Sequence, residues 1–238
     1  MRIFRKIIYD SQYINGTGEI KFFTGNDEND ESVTEMTEDQ IIKWLFANSS
    51  FRSIFYETLF EDYKTVKYFT EVTHPFTTKN KKPGDIDVLL VDPSHPEKTI
   101  VFECKRVKCI SQDDQTTKIN NLQKIKKGVV QAEFYKNLGF YQSYLMIILL
   151  DDGRKYNTPN ILFRTTDMPN DYYNIPTDEG LSEEIGIIFV KVEQFSGRHI
   201  DKSGGFGICI ERYSNEFEQS AELTNKVVDF VNNSNYST

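Results

Sequence analysis

The stretch PGDIDVLLVDPSHPEKTIVFECKRVK, residues 83–108, determines how the rest of the chain is interpreted. It contains two apolar runs, over residues 85–91 and 99–107, and the turn-rich segment DPSHPEK lies between them. Strand-like runs joined by such a turn are typical of a β-hairpin. The stretch therefore predicts two antiparallel strands whose loop is centred near His95.

Four charged side chains of this hairpin are expected on one face of the sheet. With the loop centred on His95, Asp87 lies opposite Glu103, and Asp85 lies opposite Lys105. Side chains alternate between faces along a strand, so all four point to the same side. Opposed Cβ atoms are about 5 Å apart, close enough for Asp87 and Glu103 to share a divalent cation. Because hard oxygen ligands suit Mg²⁺ or Mn²⁺, the pattern favours a metal site with Lys105 beside it.

A long helix and a buried strand are expected after the hairpin. The pattern over residues 117–138 predicts the helix, with Gly139 as its stop signal. The run YLMIILL, residues 144–150, is apolar throughout, as in a strand buried on both faces. Strand, helix and strand in this order predict a crossover within a mixed sheet flanked by helices, hence an α/β or α+β fold. The apolar face of the helix would consist of Ile119, Leu122, Val129, Val130 and Phe134.

The two strands of the hairpin resemble the signature of the PD-(D/E)XK nucleases. In PGDIDVLL and FECKRVK, an aspartate is followed by Glu-x-Lys on the next strand. The resemblance implies a restriction-endonuclease-like fold in which Asp87 and Glu103 bind Mg²⁺. It also implies that Cys104 offers its backbone carbonyl to the metal and that Lys105 assists catalysis. Asp85 is the alternative to Asp87 as the metal-binding aspartate.

Further candidate residues lie on two helices. Gln131 and Tyr135, in QAEFY, match the Q-x-x-x-Y spacing that lambda-exonuclease and RecB-like members carry on the helix after Glu-x-Lys. At four residues apart they share a helical face, which we expect to be free to meet a site or a phosphate. Members of the superfamily often place a further glutamate on a helix before the aspartate strand. Glu57 is our choice for that glutamate, and Glu61 is the second candidate.

The charge distribution indicates a basic segment inside an acidic chain. The net charge is −8, yet residues 79–127 contain 11 Lys and Arg against 7 Asp and Glu. Such a segment is either a solvated charged face or a surface that contacts nucleic-acid phosphates. The side chains that we assign to nucleic-acid binding are Lys79, Lys81, Lys82, Lys124 and Lys127.

Composition indicates a folded protein of the cytoplasm. At 238 residues with 38% hydrophobic residues, the chain can bury one sizeable core, and we expect a single domain over residues 1–238. Cys104, Cys109 and Cys209 form no C-x-x-C pair, which favours reduced thiols in the cytoplasm. The amino terminus lacks the apolar core of a signal peptide, and no apolar run could span a bilayer, so no membrane partner is expected.

The core of the domain is expected over about residues 37–150. A helix capped by Thr37 and Gln40 opens it. A second helix is predicted over residues 51–62, with a strand over 65–73 after it.

Flanking segments complete the expected domain. A β-hairpin is predicted over residues 1–24, and residues 151–238 are expected to add a loop-rich stretch, strands and a final helix. That helix would be capped at Asn215. The strands would cover residues 160–164, 185–192 and 207–212.

Taken together, the motifs predict a Mg²⁺-dependent deoxyribonuclease that hydrolyses phosphodiester bonds in DNA, in defence, restriction or repair. One alternative is a catalytically inactive nuclease-fold module for DNA binding or assembly. Another is an acidic interaction domain in which the Asp-x-Asp and Glu-x-Lys pairs are merely exposed strand residues. The expected partner is DNA, with a homodimer as a further option. DNA versus RNA, and endonuclease versus exonuclease action, stay open.

Overall fold

A mixed β-sheet carries the fold in this computed structural model, which describes residues 3–9, 36–60, 64–77, 84–111, 117–151, 170–194 and 204–234. Within these residues the sheet has eight strands. The strands are β1 (Ile3–Tyr9), β2 (Lys67–Val72), β3 (Ile86–Val91), β4 (Ile100–Ser111), β5 (Thr117–Ile119), β6 (Gln142–Asp151), β7 (Gly186–Gln194) and β8 (Gly204–Arg212). Their order is β1-β8-β7-β6-β4-β3-β2, and β5 pairs with β4.

Helices cover both faces of this sheet, which confirms the predicted α/β class. The helices are α1 (Glu38–Ala47), α2 (Ser49–Glu57), α3 (Leu122–Asn137), α4 (Asn170–Asp178) and α5 (Ala221–Asn233). Helices α1 and α2 pack on one face, against side chains such as Val88, Phe102 and Met146. Helix α3 packs on the opposite face, against Leu145 and Ile147. None of the helices in the described ranges is both long and apolar enough to cross a membrane.

The centre of the sheet is the parallel pair β4 and β6. Strand β6 lies between β4 and β7 and is parallel to both. Its residues from Tyr144 to Leu150 are all buried, as the continuous apolar run predicted. Helix α3 connects β4 to β6, so the predicted crossover unit is confirmed.

The β3–β4 hairpin has the predicted register. Val88 pairs with Phe102, Leu89 with Val101, and Leu90 with Ile100. This register is the one that centres the loop on His95, where a short 3₁₀ helix (Pro96–Lys98) completes the turn. The pattern of hydrophobic side chains enforces the register, because a slip of one residue would move every side chain to the other face.

Helix α1 begins where the capping box predicted. The backbone N–H of Gln40 donates to the Thr37 hydroxyl, and the Thr37 N–H donates to the Gln40 side chain at 2.7 Å. The helix buries Ile41, Trp44 and Leu45 completely, which anchors Trp44 in the core. The cap therefore fixes the first turn of α1 relative to the sheet.

The end of α3 at Asn137, just before Leu138 and Gly139, agrees with the prediction, whereas its start and part of its apolar face were predicted incorrectly. Residues 117–119 form strand β5, which pairs with β4, and the helix begins only after Asn121, whose φ is 64°. Leu122, Val130 and Phe134, which we placed on the buried face, are 44%, 67% and 38% exposed. The buried positions are Ile125, Gly128, Val129, Ala132 and Tyr135. The buried face thus includes Gly128, Ala132 and Tyr135 beside two aliphatic residues, whereas the prediction followed the apolar side chains alone.

Other predicted boundaries are corrected as well. Helix α2 ends at Glu57 rather than near residue 62, and α4 lies within a stretch that we expected to be loop-rich. The last helix is capped by Ser220, whose hydroxyl accepts from Leu223 N, and not by Asn215. Asn215 N instead donates to Glu184 O at 2.9 Å.

The flanking segments are described in part. Strand β1 pairs antiparallel with β8. The second strand of the predicted amino-terminal hairpin and the strand over residues 160–164 lie outside the described residues.

Candidate active site

The candidate site lies where β3 and β4 separate. Their backbone pairing extends to Val88 and Phe102, and beyond this point two carboxylates take the place of the neighbouring strand. Cys104 N donates to Asp87 Oδ2 at 2.7 Å, and Arg106 N donates to Glu38 Oε2 at 2.8 Å. The open edge of β4 is therefore bound by acidic side chains from β3 and from the first turn of α1. We call this region, formed by Glu38, Asp87, Glu103, Cys104 and Lys105, the fork.

The ammonium group of Lys105 lies among the acidic groups of the fork. It donates to the Cys104 carbonyl at 2.9 Å and forms an ion pair with Glu103 Oε1. Its Nζ lies 3.3 Å from Glu38 Oε1 and 3.9 Å from Asp87 Oδ2. Three carboxylates and one backbone carbonyl thus converge on a single cationic centre.

Burial raises the pKa values of two carboxyl groups in this arrangement, those of Glu103 and Asp87. Glu103 has no exposed surface, and the Lys105 side chain is only 9% exposed. Burial raises the pKa of Glu103 well above its usual range, Asp87 raises it further, and Lys105 opposes both effects. Burial also raises the pKa of Asp87 to about 6, against the opposing influence of Lys105 and the Cys104 N–H. Two adjacent carboxyls with raised pKa values favour the uptake of a proton or a cation.

Helix α3 supports the fork through Tyr135. The Tyr135 hydroxyl lies close to the Glu103 carboxylate, and burial together with that carboxylate raises the pKa of Tyr135. Its single hydrogen is donated to the Asp85 carbonyl at 2.5 Å. Besides this contact with Tyr135, the Glu103 carboxylate forms the ion pair with Lys105, so one hydroxyl and one ammonium group lie beside it.

Gln131 lies one turn before Tyr135 and faces the segment that leads into β3. Gln131 Nε2 is 3.7 Å from the position that a Cβ atom on Gly84 would take. Gly84 has a φ of +111°, which residues with side chains rarely adopt. On this face, Gln131 therefore lies beside Gly84, and the buried Tyr135 donates to the Asp85 carbonyl. Of the two expected contacts of this face, a site or a phosphate, the buried Tyr135 makes the first, because its hydroxyl lies beside Glu103.

Replacing Gly84 with alanine is expected to destabilise the protein by about 1–3 kcal/mol because of its strained backbone conformation. In a chain that cleaves DNA, as the sequence motifs predict, the change should also reduce cleavage, since the strand carrying Asp87 begins two residues later. Urea denaturation and a cleavage assay would measure the two effects. Gly180→Ala is the matched control, because Gly180 has a φ of +93° away from the fork. Equal activity of both variants would contradict a role of residue 84 in positioning Asp87.

The structure distinguishes between the two candidate aspartates. Asp85 Oδ1 accepts from the Thr73 hydroxyl at 3.0 Å, so its carboxylate faces β2. Asp87 contacts Cys104 N and lies near Lys105. The fork therefore contains Asp87 and not the carboxylate of Asp85.

The helical glutamate of the fork is Glu38, which the sequence analysis missed. Glu57 is the exposed last residue of α2, and the contacts within the described ranges do not join it to the fork. Glu61 lies outside those ranges. The capping box at Thr37 was the available signal, because it fixes the start of α1 and places Glu38 in its first turn.

The lysines assigned to nucleic-acid binding are described in part. Lys124 is 37% exposed, and its Nζ lies 3.9 Å from Glu38 Oε2 at the edge of the fork. Lys127 is exposed on α3. The lysines at positions 79, 81 and 82 lie outside the described residues.

Comparisons with known proteins yield two remote structural similarities. One is to a protein of unknown function from Silicibacter pomeroyi, at 11% identity over 69% of this chain and 70% of that chain, with a TM-score of 0.29. The other is to SfsA of Pyrococcus furiosus in complex with Ca²⁺, at 12% identity, 70% of this chain and a TM-score of 0.27. This chain covers 62% of the SfsA chain. At these TM-scores neither similarity supports an argument.

No family model matches the chain, and no curated protein matches it.

The donor atoms of the fork suit a small hard cation. Among the described residues, no three His, Cys, Asp or Glu side chains form a metal-binding group by themselves. Mg²⁺ requires fewer protein ligands, since it is typically held by one or two carboxylates and keeps several waters. Asp87, Glu103 and the Cys104 carbonyl provide such a set of hard oxygen donors, gathered around one cationic group, and Glu103 is fully buried. These residues fit Mg²⁺ or Mn²⁺.

Proposed function

We propose that this chain is a Mg²⁺-dependent deoxyribonuclease of the PD-(D/E)XK superfamily. The observation that carries the proposal is the fork, in which Asp87, Glu103, the Cys104 carbonyl and Lys105 converge. Asp87, Glu103 and the Cys104 carbonyl would hold the cation. Hydrolysis of a phosphodiester requires these parts, namely oxygen ligands for a cation and a nearby positive charge.

Each residue of the fork has a distinct proposed role. A bound Mg²⁺ would lower the pKa of a coordinated water and offset negative charge on a phosphate oxygen. Lys105 would orient the attacking water or donate to the phosphate through its ammonium group. Glu38 holds the Arg106 N–H and balances the charge of Lys105, so it orients that ammonium. Tyr135 and Gln131 keep the entry to β3 in place.

DNA would approach the fork from the side of α3 on which Lys124 and Lys127 lie. With Lys79, Lys81 and Lys82, these side chains would contact phosphates. Such contacts release counterions, so binding should weaken as the salt concentration rises. A cytoplasmic location fits the three buried free thiols of Cys104, Cys109 and Cys209.

A cleavage assay tests the proposal. Purified protein is incubated with supercoiled circular DNA and with end-labelled linear DNA, each with Mg²⁺, with Mn²⁺ and with EDTA. We expect metal-dependent loss of one or both substrates. Linearised circles would indicate an endonuclease and favour a homodimer that cuts both strands, whereas end-dependent release would indicate an exonuclease. Binding without cleavage of DNA or RNA would contradict the proposal and favour an inactive DNA-binding module.

The affinity for Mg²⁺ is expected to depend on pH. Because the pKa of Asp87 is raised to about 6 and that of Glu103 is also raised, protons compete with the cation at low pH. The increase in Tm caused by Mg²⁺ should be small near about pH 5 and should grow as pH rises through and above about 6. Thermal melts across this range with and without Mg²⁺ measure the effect, and Asp87→Asn should weaken it. An increase in Tm that is independent of pH would contradict the assignment of these carboxyls.

Without metal, the stability of the folded protein depends on pH in the opposite direction. A carboxyl whose pKa is raised by folding stabilises the folded state below its unfolded pKa, and this contribution is lost as pH rises through the folded value. For Asp87 that window ends near pH 6. The metal-free protein should therefore lose stability from this group over the same range in which Mg²⁺ binding becomes stronger.

A further inference from the structure

Helix α3 has a glycine, Gly128, at a buried position against the sheet. Glycine is less favourable than alanine inside a helix, so a packing reason is expected for it. A Cβ atom on Gly128 would lie 2.6 Å from Lys105 Cγ and 3.3 Å from Lys105 Cε. Non-bonded carbon atoms normally approach to about 3.5–4 Å. The aliphatic chain of Lys105 thus passes through the space that a side chain at position 128 would occupy.

Leu145 lies beside the space through which the aliphatic chain of Lys105 passes. The same Cβ atom would lie 3.0 Å from Leu145 Cδ1, so Leu145 forms another wall of this passage. The ammonium at the far end is held by Glu103 and by the Cys104 carbonyl. A side chain at position 128 would displace Lys105 at Cγ, close to its backbone, while the ammonium at the other end is held by these contacts.

We infer that Gly128 is a positioning residue for Lys105: its missing side chain sets the path along which the lysine reaches Glu103 and the Cys104 carbonyl. The steric part of this inference is independent of any activity. Its consequence for catalysis rests on the proposed function, in which the Lys105 ammonium assists cleavage.

A double-mutant cycle tests the steric part by thermal melts. Gly128→Ala alone should lower the Tm by about 5 °C, since overpacking a tight site is destabilising. Lys105→Ala removes both Cγ and Cε, so adding Gly128→Ala to it should leave the Tm unchanged or raise it. Lys105→Met keeps carbon atoms at both positions but lacks the charge, so Gly128→Ala should remain destabilising in that background.

Two further comparisons make the cycle decisive. Val130→Ala, on the exposed side of the same helix, should leave the Tm nearly unchanged in every background. If Gly128→Ala does not fold, recovery of a cooperative melt in the Lys105→Ala double variant supports the inference; failure of the double variant while Lys105→Ala alone folds contradicts it. An equal loss of Tm in the wild-type, Lys105→Met and Lys105→Ala backgrounds would also overturn it.

Kinetics test the catalytic consequence. With DNA as substrate, Gly128→Ala should reduce kcat about tenfold or more with little change in KM, because misplacing a catalytic group affects the chemical step. A change confined to KM would contradict the positioning role. If the wild-type protein cleaves no DNA, the proposed function fails, whereas the stability cycle still decides the steric inference.

Discussion

Asp87→Asn is expected to reduce Mg²⁺-dependent cleavage by at least about 10²-fold, because replacing even the outer-shell partners of metal ligands costs 10- to 100-fold. Asparagine keeps an oxygen that can accept from Cys104 N, so the fork should retain its shape. What is lost is the negative charge that would attract the cation. Steady-state rates on labelled DNA, combined with calorimetric titration of Mg²⁺, would measure both effects.

The matched control for this variant is Asp85→Asn. Asp85 belongs to the same PGDID motif, but its carboxylate accepts from Thr73, a bond that asparagine can keep. We expect its activity to stay close to that of the wild type. A second pair makes the same comparison among glutamates, since Glu38→Gln should impair cleavage and Glu57→Gln should not. Loss of activity only in Asp85→Asn or Glu57→Gln would transfer the site to the residues that the sequence suggested as alternatives.

Lys105→Met is expected to destabilise the metal-free protein by about 3–5 kcal/mol at neutral pH, as expected when a buried ion pair loses one partner. Methionine preserves the packing of the aliphatic chain beside Gly128, so the effect isolates the charge. Glu103 would remain buried beside Asp87 with no cation nearby. Urea denaturation near neutral pH and near about pH 5 would measure the difference. The penalty should be smaller at the lower pH, where protons neutralise the carboxyls.

Lys126→Met provides the control for Lys105→Met. Lys126 lies on α3, is 58% exposed and pairs with Glu179 at 3.0 Å. A surface ion pair of this kind contributes about 0–1 kcal/mol. Mg²⁺ should restore part of the lost stability in Lys105→Met, since a cation again neutralises the carboxylates, and should not affect Lys126→Met differently from the wild type. If the free energy of unfolding falls by the same small amount in both lysine variants, Glu103 does not depend on Lys105 to neutralise its charge.

The hairpin was the most predictable part of the fold because its information is local. Alternation of apolar residues fixes which face each side chain takes, and the turn centred on His95 then fixes the pairing of Val88 with Phe102. The buried run of β6 was predictable for the same reason. By contrast, the start of α3 depends on the pairing of Ile119 with Cys109, a contact between strands that helical propensity cannot reveal.

The candidate site was predictable wherever its residues belong to the hairpin. Asp87, Glu103 and Lys105 meet because one register brings them together. Glu38 reaches them across 67 positions in the sequence, through the placement of a whole helix. The role of Gly128 depends on the distance between α3 and the sheet, which no spacing in the sequence expresses. The prediction therefore failed for contacts set by the packing of one element on another.

The separation of β3 from β4 also bears on solubility. An unpaired strand edge can recruit a strand of another molecule, and proteins commonly block such edges with charged side chains. At the fork, Asp87 and Glu38 occupy the N–H groups of Cys104 and Arg106, which would otherwise be free to pair. The acidic side chains proposed for the chemistry thus also shield the sheet from self-association. Alanine at position 38 or 87 would uncover that edge and promote aggregation, whereas asparagine and glutamine would keep it blocked.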